Sequence, residues 1–373
     1  MVKILHTADI HLGAKFSILG NKGIQQREQI KNTFKKITST AISERVNIVL
    51  IAGDLFDSNS QPQGNIGLVV EQFNLLGENK IPVCLIPGNH DPFDSSSIYR
   101  KVNFEQICPN VKVFTEAEIS YKEYPELDLT VYGKPNMSNK SYTSPLKGLR
   151  QVTPTRFHAA LAHGSLYIPG KVAEDDHPFK LEEINASGMD YIAMGHWHRP
   201  YICSDNPPTR YPGPPEWIPD QKEAGSVLVA SFLDSGEAEI ESKRIGVRDY
   251  DEIEVETSEI GSLEELKKKI LTGANQNLVR AVTLKGLHEA ELIVKPEDFK
   301  NQLEDNFFFL RVDDKSHPKL TKIPEATSQG QLIRARFIKL MKEKIQRSEG
   351  DDKTDAENAL QYGLALLDGK EVL

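Results

Sequence analysis

The chain of 373 residues has only three cysteines, Cys84, Cys108 and Cys203, none of them in a CxxC spacing. An odd, scattered set excludes a disulfide framework and a cysteine-built zinc site, and leaves buried thiols as the reading. Long hydrophobic runs are missing as well. No stretch approaches the roughly 20 apolar residues of a membrane span, and the N-terminus has no signal-peptide core, so a cytoplasmic protein without membrane contact is expected. Positive charge is not in excess either: 45 Lys and Arg against 54 Asp and Glu give a net charge of -9. Such a chain does not grip nucleic acid by bulk electrostatics, which leaves phosphate contacts to local patches or to bound metal. There is no internal repeat and no long low-complexity segment, so solenoid and fibrous classes drop out.

What is present is alternation. Short apolar runs at 2–8, 47–53, 81–88, 129–133, 157–164, 191–195 and 227–232 read as strands buried on both faces. Between the first three, residues 24–45 carry Ile30, Phe34, Ile37 and Ala41 at helical spacing, and residues 64–77 carry Ile66, Val69, Val70, Phe73 and Leu76. A βαβαβ start predicts a layered α/β core. From about residue 246 charge density rises, and strand (252–256), helix (262–271), strand (278–285), helix (296–304) and strand (306–312) suggest a second, smaller unit. A helix over 329–347 follows, then the acidic stretch SEGDDKTD, expected to be a mobile linker, and a final helix over 355–367. The expected division is 1–245, 246–327 and 328–373.

The chemistry emerges when strand ends are compared. Asp9 and His11 leave the first strand; taken alone, a helix-capping Asp and a surface His would account for them. Asp54, Asn89, His90, His163, His196 and His198 leave other strands in the same way. Asp, Asn and His at five strand ends form a mixed nitrogen and oxygen donor set suited to Mn²⁺, Fe²⁺ or Zn²⁺. The glycines Gly13, Gly53, Gly88, Gly164 and Gly195 let the chain turn tightly beside a small ion. The stretch GSLYIPGKV has neither the glycine spacing nor the hydroxyl of a phosphate loop. His6 reads as a core residue, and His158, His177, His288 and His317 lack partners at metal spacing.

DxH (9–11), GDxxD (53–57), GNHD (88–91), the lone His163 and GHxH (195–198) resemble, in order, the five motifs of the calcineurin-like metallophosphoesterases. More narrowly, LHTADIHLG, GDLFD, IPGNHD, GHWHRP, YPGPPEW and GSVLVASF resemble the nuclease subunits of SbcC/SbcD-type DNA-repair complexes. The resemblance implies an α/β/β/α core with a small α+β capping domain and C-terminal helices. It also implies two divalent metal ions, Mn²⁺ by preference, bridged by Asp54. Asp9, His11 and His198 would complete one ion's shell, and Asn89, His163 and His196 the other's. His90 would be the catalytic histidine that serves the leaving oxygen, with Asp91 orienting it. The implied partners are DNA, an SMC-like ATPase of the SbcC type and a second copy of the chain, with segments 64–77 and 97–107 as dimer candidates.

Several residues remain open between two roles. Asp57 stands where archaeal and eukaryotic relatives tend to carry His, and it could order the loop, support a ligand or serve as a turn residue. Trp197, Arg199, Tyr211 and Trp217 could contact substrate, the rings by stacking on a base or ribose, or could pack their loops on the core. Basic residues on the 329–347 helix, from Arg334 to Arg347, could meet DNA or an acidic partner, or form a solvated face. Ala359, Leu360, Leu364 and Leu367 could bind the ATPase or this chain's own cap. A metal-dependent DNA exonuclease or endonuclease is the expected function. The alternative is a phosphodiesterase for a small nucleotide or phospholipid headgroup.

Overall fold

A computed structural model of the chain describes residues 2–219, 221–233, 238–288, 296–319 and 332–369. It divides into two compact units, residues 1–249 and 250–373. The first unit runs β1 (Val2–Thr7), α1 (Lys22–Ser43), β2 (Ile48–Ala52), α2 (Gln63–Glu78), β3 (Val83–Ile86), α3 (Ile98–Lys101), α4 (Phe104–Ile107) and β4 (Val111–Val113). It continues with β5 (Ser120–Tyr124), β6 (Leu129–Gly133), β7 (Phe157–His163), α5 (Leu181–Ala186), β8 (Tyr191–Gly195), β9 (Pro200–Asp205), β10 (Pro208–Pro212), β11 (Ser226–Phe232) and β12 (Ala238–Arg244).

These strands form two six-stranded sheets, in the orders β12-β11-β1-β2-β3-β4 and β5-β6-β7-β8-β10-β9. β1 to β4 are mutually parallel, and so are β6, β7 and β8. Ile4, Leu50 and Ile86 of the first sheet share one buried cluster with Val131, Leu161 and Ala193 of the second, so the sheets pack face to face. Alternate residues Leu5, Val49, Ile51, Val83 and Leu85 are equally buried, as in strands covered on both sides. Tyr132, Ala160 and Ile192 on the outer face of the second sheet pack with Leu149 of the β6–β7 connection, with Phe179 just before α5 and with Ile184 of α5. α1 buries Ile30, Phe34, Ile37 and Ala41, and its Phe34 meets Phe73 of α2 at 6.3 Å between ring centroids. The α2 stripe is shifted from the one read in the sequence: Asn65, Leu68, Val69, Gln72, Phe73 and Leu76 are buried, while Ile66 and Val70 lie at its margin. The buried positions 65, 68, 69, 72, 73 and 76 follow one helical face, and Ile66 and Val70 fall beside it. The expected layered α/β architecture is the one observed.

The second unit contains β13 (Asp249–Glu256), α6 (Leu263–Leu271), β14 (Leu278–Lys285), β15 (Leu287–His288), α7 (Pro296–Leu303), β16 (Phe309–Asp314), β17 (His317–Pro318), α8 (Leu332–Arg347) and α9 (Gly350–Leu367). β13, β14 and β16 form a sheet whose core includes Val255, Leu266, Ile270, Val282, Phe299 and Leu310. Arg280 is buried beneath it, bidentate to Asp251 at 2.8 and 2.6 Å. The boundary expected at 327/328 lies outside the described residues.

The acidic stretch expected to be a mobile linker is instead mostly helix. α9 begins at Gly350, and Asp351 and Asp352 in its first turn complement the positive end of the helix dipole. Leu360 and Leu364 are buried against Ile338, Phe337, Met341 and Ile345 of α8, whereas Ala359 and Leu367 of the same stripe are exposed. Among the described residues no helix is long and apolar enough to cross a membrane.

Candidate metal centre

Parallel strands place their C-terminal ends at one edge of a sheet, and there each strand gives way to a loop with a polar side chain. β1 delivers Asp9 and His11, β2 Asp54, β3 Asn89 and His90, β7 His163, and β8 His196 and His198. The backbone at several of these exits is unusual: φ is +55° at Asp9, +51° at His11, +51° at Asp54 and +105° at His196. Side chains rarely occupy this region, and neighbouring hydrogen bonds must hold them there. The Asp9 carboxylate accepts the His196 backbone N–H at 3.0 and 3.2 Å, and Asp54 Oδ1 accepts that of His90 at 2.8 Å. Asp9 and His11 donate their own N–H groups to Gly53 O and Asp54 O. Close approach explains Gly195, where a Cβ would lie 2.0 Å from Ala52 O and 2.8 Å from His163 Nδ1.

The structure brings together all seven residues expected to hold metal. His11 Nε2 lies 3.0 Å from His198 Nε2 and 3.7 Å from Asp54 Oδ2, and His198 Nε2 lies 3.9 Å from Asp9 Oδ1. On the other side of Asp54, His163 Nε2 is 3.3 Å from Oδ2, and both His163 Nε2 and His196 Nδ1 are 2.8 Å from Asn89 Oδ1. Asp54 Oδ2 is buried and accepts no hydrogen bond. An unsatisfied buried carboxylate oxygen amid imidazole nitrogens is what a cation would satisfy. Asp9, His11, Asp54 and His198 stand close enough to share one ion, and the mixed nitrogen and oxygen donor set suits a divalent metal.

Burial and the mutual charges of the cluster set its electrostatics. Burial raises the Asp9 carboxyl to about 6, opposed by His163 and reinforced by the neighbouring charge of Asp54. Burial acts the same way on Asp54, but His163 and His11 overcome it and hold that carboxyl well below the usual range. His198 is pushed down to about 3 by burial and by the positive charge of His11.

Other expectations fare differently. His90 is exposed at the rim, with its ring 4.7 Å from that of His11 and its Nδ1 3.4 Å from Asp57 O. Asp91 does not orient His90: its carboxylate accepts from Gly88 N at 2.7 Å, Phe56 N at 3.0 Å and Tyr99 Oη at 2.6 Å, and so ties down the loop backbone instead. Asp57 reaches His11, with Oδ1 3.4 Å from Nδ1. Trp217, 4 % exposed, donates Nε1–H to Gln221 O, and Tyr211, 1 % exposed, donates to Gly164 O. Both rings are too deeply buried to stack on a base. Trp197 is half-buried, stacked on Tyr211 at 5.2 Å, with the Arg199 guanidinium 5.3 Å from its ring. Two cavities flank His198, of about 330 and 470 Å³. Lys15 lines the first with His11 and His90, and Lys171 and Arg199 line the second with His196. Asp176, which bonds His196 Nε2 at 3.0 Å, was not singled out in the sequence, where it stands in an irregular loop at no fixed spacing from the histidines.

The uncharacterized metallophosphoesterase YhaO of Bacillus subtilis is 29% identical over 218 residues, covering 56% of this chain and 52% of that protein. The DNA double-strand break repair protein Mre11 of Aeropyrum pernix is 29% identical over 283 residues, 70% of this chain and 66% of the relative. A subunit of the nuclease SbcCD from Staphylococcus epidermidis is 23% identical over 342 residues, 85% and 80% of the two chains. The match thus spans from about half to four-fifths of these curated relatives. Residues 2–200, which include every donor in the cluster, match the calcineurin-like phosphoesterases, and the chain belongs to that family of metal-dependent phosphoester hydrolases.

Proposed function

We propose that this chain is a metal-dependent DNA nuclease that hydrolyses phosphodiester bonds with two divalent ions. The observation that carries the reading is the meeting of two donor groups at the unsatisfied Asp54 Oδ2. Asp9, His11 and His198 would hold one ion, Asn89, His163 and His196 the other, and Asp54 both. When bound, such a pair supplies Lewis acidity to the phosphate oxygens and to the attacking water. The chain's own residues do the rest. Asp54 and Asp9, buried and fixed by backbone N–H groups, keep the donors in place without rearrangement. His90, exposed at the rim beside His11, delivers a proton to the leaving oxygen.

The substrate reading rests on the two cavities that meet at His198. A phosphodiester chain crossing that point meets Lys15 on one side and Lys171 and Arg199 on the other. A small ester would reach only one side. The names of the Mre11 and SbcCD relatives support the same reading. Mn²⁺ is the metal we propose. An SMC-like ATPase is the partner, for which Ile333, Leu340, Leu366 and Leu367 offer exposed apolar contacts, and a second copy would meet the chain near Leu75 and Ile107.

Degradation of end-labelled single- and double-stranded DNA with and without Mn²⁺, beside bis-p-nitrophenyl phosphate, tests the proposal. We expect DNA cleavage that requires Mn²⁺ and falls by about 10²- to 10⁴-fold in His90→Asn, with both ions still bound. Hydrolysis of the small ester alone, with the ATPase partner also failing to restore DNA cleavage, would assign the chain to small nucleotides or phospholipid headgroups instead.

A further inference from the structure

A neutral imidazole carries one N–H, and the nitrogen that donates it has no lone pair left for a cation. The group opposite each histidine therefore decides which nitrogen faces the cluster. His163 donates Nδ1–H to Ala52 O at 2.8 Å, which leaves Nε2 toward Asn89 and Asp54. His11 has Asp57 Oδ1 3.4 Å from Nδ1, which again leaves Nε2. His196 is turned the other way: Nδ1 lies 2.8 Å from Asn89 Oδ1, and Nε2 lies 3.0 Å from Asp176 Oδ1.

We propose that Asp176 is a positioning residue for the metal centre, selecting the His196 tautomer whose Nδ1 lone pair points at the ion. This rests on the metal-centre reading above. The carboxylate is itself held: Ser165 Oγ donates to Oδ2 at 2.6 Å, and the same Oγ accepts the Trp197 Nε1–H at 2.9 Å. Trp197 follows His196 in the chain, so the four side chains form a closed ring that ties the loop between β7 and α5 to the exit of β8. A carboxylate matters here for a specific reason. It accepts at both oxygens, whereas an amide could rotate and offer N–H to Nε2, favouring the opposite tautomer. Burial does not explain the choice of residue, since the Asp176 side chain is 37% exposed.

The test is a calorimetric Mn²⁺ titration of the metal-free full chain in wild-type form and as Asp176→Ala, Asp176→Asn and Ser165→Ala. Circular dichroism confirms folding, and Asp176→Asn decides the matter if Asp176→Ala does not fold. We expect two ions in the wild type. Both Asp176 variants should bind one of the two ions ten- to a hundredfold more weakly and the other as before. Ser165→Ala, which removes one tie on Asp176 but keeps its bond to His196, should weaken the same ion by less than either Asp176 variant does. The electron paramagnetic signature of coupled Mn²⁺ pairs at substoichiometric metal should weaken most in the Asp176 variants. Wild-type affinities in both Asp176 variants would overturn the proposal, as would an equal loss in Ser165→Ala, which would make Asp176 a mere loop tie. A wild type that binds no Mn²⁺ would overturn the metal-centre reading itself.

Discussion

Asp54 has one carboxylate oxygen committed to the His90 backbone and one without a donor, and the difference depends on neighbours that leave no spare volume. Gly195 marks that limit most sharply. A methyl group there would overlap Ala52 O and press on His163 Nδ1, so Gly195→Ala should displace His163. We expect it to retain at most one Mn²⁺ after gel filtration and to lose about 1–3 kcal/mol of stability through overpacking, read from a urea titration. A variant that keeps two ions and wild-type stability would contradict the geometry. At this scale the donors were legible because each polar residue interrupts an apolar strand at its end, a pattern that burial alone does not produce. Asp91, Tyr211, Trp217 and Asp176 were not legible. Asp91, Trp217 and Asp176 lie in irregular loops, where no period says which way a residue points. Tyr211 lies in β10, a short strand that no apolar run marks, and only the observed partners separate a loop tie from a substrate contact.

Among the elements, the loop after β10 shows what a buried charge can do away from the chemistry. Glu216 is fully buried and accepts five hydrogen bonds: from Gln29, Thr33 and the Val247 N–H on one oxygen, and from the Trp217 and Arg248 N–H groups on the other. It thereby fastens α1 and the segment after β12 to the loop that carries Trp217. Glu216→Ala would strand those donors without water, and we expect a loss of at least about 3 kcal/mol in urea unfolding. Glu216→Gln, which keeps one acceptor oxygen, should lose less. Element positions were readable to within a residue or two wherever apolar runs were continuous, as in β6 and β8. The acidic stretch before α9 misled because charge suggested solvent exposure, while the same aspartates favour a helix N-terminus.

For the whole molecule, two units with separate cores predict two unfolding transitions in a calorimetric scan. All the donors lie in the first unit, so adding EDTA to the Mn²⁺-loaded chain should lower one transition and leave the other in place. The first transition should also depend on pH through His6, which is fully buried between Tyr191 Oη at 2.9 Å and Met194 O at 3.1 Å. Burial pushes His6 down to about 3, against the Met194 bond, which raises it. Its unfolded value is near 6.5, so the unfolded chain takes up a proton that the folded one refuses. That contribution is fully present above about pH 6.5 and is lost as pH falls toward 3, at up to about 1.4 kcal/mol per pH unit. A urea midpoint that rises between pH 7 and 5 would contradict it. His11 and His198 are 187 positions apart in the chain, yet their rings meet at 3.0 Å. An ion gripped by both is therefore a reversible cross-link around about half the polypeptide, and what it removes is the freedom of that long loop in the denatured chain. Stripping it should leave the fold intact but unstapled, and a protease should find the chain open more often.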